Sequence, residues 1–105
     1  MMGKNRTPTA EALAVKYRDN PRAIAKYLND VLSSGDPVLI NKAIGHMVRA
    51  QNVTRFSQKV GLSREGLYRS FKGKVRPPFD TVLKVLIALD IQLTVKPWQG
   101  NEDRG

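Results

Sequence analysis

The strongest constraint in the chain is a set of spaced residues between Ser57 and Leu67. Ser57 is small, Gly61 follows four residues later, Leu62 is apolar, Ser63 is a helix-capping type, and Leu67 is apolar four residues past it. Two short helices can cross closely only where the first presents a small side chain. The turn between them needs a backbone conformation that glycine enters without steric cost. The second helix needs a side-chain oxygen for its first free amides. All these demands are met at helix-turn-helix spacing, so the motif is assigned to residues 54–72 with the second helix opening after Ser63.

Charge gathers around this motif. The 105-residue chain carries 18 Lys and Arg against 9 Asp and Glu, a formal net charge of +9. Between Arg49 and Arg76 lie Arg55, Lys59, Arg64, Arg69, Lys72 and Lys74, with Glu65 the lone acid in that window. Most of the net charge therefore sits on about a quarter of the chain, the footprint of a face that binds a polyanion.

Apolar periodicity organises the rest into helices. Asn20-Pro21 and Asp36-Pro37 are start signals, cap followed by proline. Ile24, Tyr27, Leu28, Val31 and Leu32 follow the first, and Ile40, Ala43, Ile44, Met47 and Val48 the second, each set on one helical face. Asn52 to Thr54 opens a short third helix with Phe56 and Val60 inward, ended by Gly61. The fourth runs from Ser63 to Gly73 with Leu67 and Phe71 inward. A fifth begins near Asp80 and is apolar nearly all round. Ile91, Leu93 and Val95 alternate with polar residues, the period of a strand, which would pair with the same strand of a second copy. The expected fold is all-α, a five-helix bundle with one short C-terminal β-strand. Residues 1–18 form a flexible arm, 19–96 the helix-turn-helix domain with its dimerisation strand, and 97–105 a disordered tail.

With Leu67 and Phe71 inward, Arg64, Glu65, Tyr68 and Arg69 become the base-reading candidates. Arginine offers two parallel donors to guanine. Glu65 either accepts from cytosine or orients Arg64 or Arg69, and Tyr68 touches a thymine methyl or a phosphate. Arg55, Gln58, Lys59, Ser63, Lys72, Lys74 and Arg76 are assigned to the DNA backbone, with a base edge the alternative for Gln58. Gly66 reflects either close approach to DNA or close helix packing. Leu86, Leu89, Ile91, Leu93 and Val95 are the expected dimerisation residues.

Several function classes are disfavoured. His46 is the lone histidine, too few ligands surround it for a metal, and no carboxylate pair suits a nuclease. Neither an enzyme nor a cofactor is expected. There is no cysteine and no apolar run of the roughly 20 residues a bilayer requires. The N-terminus lacks the apolar stretch of a secretory signal, so the expectation is a cytoplasmic protein without a membrane partner. A basic RNA-binding protein would show more stacking aromatics than Tyr68 alone on the basic face.

The stretches Tyr27-Leu28-Asn29-Asp30, Gly35-Asp36-Pro37, Gly61 to Arg69, Phe79 to Leu86 and Ala88-Leu89 resemble the addiction-module antidote proteins. These are HigA-like antitoxins with an Xre/Cro-type, lambda-repressor-like helix-turn-helix. The resemblance runs from about Asp19 to Val95. It implies an antitoxin that neutralises a RelE/ParE-type toxin and represses its own operon as a homodimer on an inverted-repeat operator. The alternative is a stand-alone Xre-type repressor without a toxin. The chain departs from the family pattern at Lys74 to Pro78, where the loop ordinarily ends in glycine-asparagine-proline, and at Asp90, where glycine is frequent.

Overall fold

The structure, a computed structural model, describes residues 9–73 and 75–97. Six α-helices follow one another: α1 Ala10–Tyr17, α2 Pro21–Leu32, α3 Pro37–Ala50, α4 Val53–Val60, α5 Arg64–Ser70 and α6 Phe79–Ala88. Their starts follow from local chemistry. Asn20, Asp36, Asn52 and Ser63 each accept a first-turn amide, with Asp36 Oδ1 taking Val38 N at 2.9 Å and Ser63 Oγ taking Gly66 N at 3.0 Å. Pro21 and Pro37 occupy first positions, where a missing amide costs nothing.

The core is built around α3, which buries Ala43, Ile44, Met47, Val48 and Ala50. Ile24 and Leu28 reach it from α2, Phe56 and Val60 from α4, Leu67 and Phe71 from α5 and its C-terminal end, and Val85, Leu86 and Leu89 from α6 and its end. Helix α3 thus forms the base on which the α4–α5 pair is set.

Two expectations are corrected. There are six helices among the described residues rather than five, and the extra one, α1, lies in the stretch expected to be a flexible arm. Thr9 Oγ1 caps α1 through Ala12 N at 3.1 Å, and Leu13 is buried. The helix is then tied to the end of α3. Arg18 Nε donates to Ala50 O at 2.8 Å, and the Gln51 amide donates to Tyr17 O at 3.1 Å while its oxygen accepts from Asp19 N at 3.0 Å. The second correction is the C-terminal β-strand: no strand is present among the described residues. A strand is defined by its ladder, and residues 91–97 have no ladder to join. Instead Ile91 N donates to Leu86 O at 2.9 Å, folding the segment back over the end of α6. Ile91 packs on the core, while Leu93 and Val95 remain exposed. The readings of residues 1–8 as arm and 98–105 as tail lie outside the described residues.

Candidate nucleic-acid interface

The turn between α4 and α5 has the geometry its residues require. Gly61 sits at φ +81°, and its amide donates to Ser57 O at 2.8 Å, with Leu62 N reaching the same carbonyl at 3.2 Å. The left-handed glycine lets both amides close the end of α4. Half-buried Leu62 packs against the core, and Ser63 then caps α5. The sequence turns within three residues because each one does a separate task.

Helix α5 is anchored on one side only. Leu67 is fully buried and Phe71, just past the helix end, is 4% exposed. On the other side Arg64, Glu65 and Arg69 are exposed and Tyr68 is half-buried. The four base-reading candidates are thus on the free side of the helix or at its edge. Arg64 Nη2 lies 3.5 Å from Thr54 Oγ1, so the starts of α4 and α5 open on the same surface. Arg55, Gln58, Ser63, Lys72 and Arg76 are exposed around it. Lys74 lies outside the described residues. Lys59 is exposed, but its ammonium donates to Ala88 O at 3.0 Å. In this conformation its charge closes the C-terminal end of α6.

Gly66 has an intramolecular reason. A Cβ there would lie 3.1 Å from Ser63 Oγ, so glycine leaves room for the cap that starts the helix. Of the expected dimerisation residues, Leu86 and Leu89 are each 4% exposed and belong to the core. Both lie on the inner side of α6, and Leu86 also lines a groove with Ile44 and Val82. Ile91 is largely engaged as well.

A family model described as "probable addiction module antidote protein" matches residues 9–97. The chain belongs to this family. An uncharacterized protein of Haemophilus influenzae is 41% identical over 73 residues, covering 70% of this chain and 75% of that protein. No solved structure matches. An antidote acts against a toxin, so membership implies a toxin partner, and the match spans all six helices of this antidote.

Three features of the antidote carry no clear sign in its sequence. Gly45 on α3 lies against the end of α5: a Cβ there would come 2.5 Å from Phe71 O. Gln51 is 7% exposed and donates to Met47 O at 2.9 Å in addition to its bonds with the α1 end. His46 is half-buried, with Nδ1 3.3 Å from the Tyr27 hydroxyl. Burial pushes its imidazole below the ordinary value of 6.5, and the charges of Arg49 and Lys42 push the same way. Burial also raises the Tyr27 hydroxyl, with Tyr17 adding to it. This pair joins α2 to α3 away from the motif. Among the described residues no group of three or more His, Cys, Asp or Glu could hold a metal, and no helix is long and apolar enough to cross a membrane.

Proposed function

We propose that this antidote is a sequence-specific DNA-binding protein of the HigA-like, Xre/Cro helix-turn-helix type. It represses its own operon as a cytoplasmic homodimer on an inverted repeat and neutralises a RelE/ParE-type toxin. The observation that carries the reading is the two-sided character of α5: Leu67 is buried, and Arg64, Glu65 and Arg69 are exposed on a strongly basic surface. A core helix would bury both sides, and a merely solvated one would not need a capped, glycine-closed turn to hold it out from the bundle.

Arg64 and Arg69 are one turn and a half apart and supply the bidentate donors that distinguish guanine. Glu65 orients them or accepts from cytosine. Arg55, Gln58, Ser63, Lys72, Lys74 and Arg76 fix register on phosphates. Lys59 joins them only by giving up Ala88 O. Half-sites about one helical turn apart, roughly 34 Å, match two such helices.

The toxin arm is tested by co-expression with the small reading frame beside this gene. Growth arrest by the neighbour alone, relieved by this chain, with the two proteins co-purifying, is the expected outcome. A neighbour that is harmless or is not bound removes the toxin from the reading and leaves a stand-alone repressor.

A further inference from the structure

Helix α6 ends by turning its chain back through Asp90. Asp90 N donates to Ile87 O at 2.9 Å, Ile91 N to Leu86 O at 2.9 Å, and Leu89 N to Val85 O at 3.0 Å. The first two bonds are those of a Schellman cap, which passes through one residue in the left-handed region, ordinarily glycine. Here Asp90 takes that place at φ +65°. The turn fills the carbonyls of Val85, Leu86 and Ile87. It leaves that of Ala88, the last residue of the helix, without a partner from its own segment. Lys59 of α4 supplies one: its ammonium donates to Ala88 O at 3.0 Å.

We propose that Lys59 is a positioning residue of the DNA-binding unit. It completes the cap of α6, holds α4 in place through that bond, and contacts no phosphate. The inference rests on the reading of α4 and α5 as the DNA-binding pair, and it takes one cation out of the set that reaches the backbone.

Electrostatics at the end of α6 favour this assignment. A helix C-terminus carries partial negative charge, which attracts a cation and repels an anion. Beside it a cleft of about 60 Å³ is lined by Asp19 and Asp90 together with Arg55 and Lys59. A phosphate drawn to Lys59 at this place would meet both acids and the helix end, and would leave Ala88 O uncapped. The Arg55 guanidinium makes no hydrogen bond among the described residues, so no such tie holds it back. Arg55 and Lys59 stand one turn apart on the same side of α4. The bond to Ala88 O therefore fixes the rotation of the helix that carries Arg55 and Gln58.

Amide exchange and duplex titration of the full chain test this together. Lys59→Met keeps the stem and removes the donor. It is expected to speed exchange of the Asp90 and Ile91 amides by about fivefold or more, a local opening that α3 does not share. Binding of duplex from upstream of the gene is expected to weaken by about three- to tenfold at an unchanged salt slope. Loss of a phosphate ligand would instead lower the slope by about one. Lys59→Arg keeps a donor and restores both readouts. Asp90→Gly gives the cap its preferred residue, so in the Lys59→Met background it slows exchange of Ile91 again. Asp90→Ala removes the same charge without easing φ and does not. In wild type, exchange at these two amides stays as slow with duplex bound as without it. A slope lowered by about one in Lys59→Met, or faster exchange of Asp90 and Ile91 in the DNA-bound wild type, overturns the proposal. So does unchanged exchange in folded Lys59→Met. A wild type that binds no duplex sinks the DNA reading, and exchange in the free chain then still decides the cap.

Discussion

Gly45 governs how closely α3 approaches the end of α5. Its missing side chain lets Phe71 O come within 2.5 Å of where a Cβ would stand, and the Phe71 Cβ within 3.2 Å. Both contacts involve backbone or a side-chain root, neither of which can swing aside. Gly45→Ala is expected to cost about 1–3 kcal/mol, the range for overpacking a core, read by urea denaturation. An unchanged midpoint would mean that the helices separate freely. Nothing in the sequence marks this glycine, because it stands inside the apolar stripe of α3, where Ala43 and Ile44 look equally packed. The motif glycine differs: Gly61 was legible because capping types and apolar residues flank it at fixed distances. His46 supports a pH prediction at the same scale. Its folded-state pKa is lowered from 6.5 by burial, then by Arg49 and Lys42. Below about 6.5 the unfolded chain takes up a proton that the folded one resists. Stability is therefore full above that pH and falls as pH drops toward the folded-state value, flattening below it. His46→Gln should remove this component from a series of thermal melts between pH 7.5 and 5. An identical slope in wild type and variant would show that His46 does not set it.

Helices α2 to α6 were legible because each announces itself twice, with a cap or proline at its start and an apolar face along its length. Helix α1 has the cap, Thr9, but only Leu13 as a buried residue, so no periodic stripe draws attention to it. What holds it is long-range: Arg18 and Gln51 bond across more than thirty residues, a relation no local pattern contains. Gln51→Ala is expected to cost about 1–3 kcal/mol, since it takes the acceptor from the Asp19 amide and leaves the Tyr17 carbonyl with Asn20 N alone. Amide exchange in α1 should accelerate while α3 and α6 stay protected. Uniform acceleration across all helices would make Gln51 a residue of the global fold and not of the α1 tie. The C-terminal segment failed for the opposite reason. Its alternation is real, but alternation predicts which side chains share a face and not whether a neighbouring strand exists. Within one chain, Ile91 finds the core and the rest of the alternation has no partner.

Across the whole molecule, apolar and charged surfaces are segregated. The α4–α5 surface is basic, and the outer side of α6 is apolar with one charge of each sign. Lys59 links the two, since it lies on α4 and closes α6 at Ala88 O. The exposure of Arg64, Glu65 and Arg69 could be inferred from sequence because inward Leu67 and Phe71 fix the rotation of α5. The commitment of Lys59 to α6 could not, since a lysine's reach is settled only by where the next helix ends.

The proposed function requires that the free side of α5 discriminate between base sequences. The most direct measurement is fluorescence-anisotropy titration of duplex DNA from upstream of this gene against a scrambled duplex, over a range of salt, for wild type, Arg69→Ala and Arg55→Ala. Preference for the native site is expected, with a log–log salt slope near −5 for about six phosphates and loss of about 1–3 kcal/mol of discrimination in Arg69→Ala. Arg55→Ala should weaken both duplexes alike and reduce the slope by about one. Equal binding of native and scrambled DNA by the folded wild-type chain would contradict the proposed function.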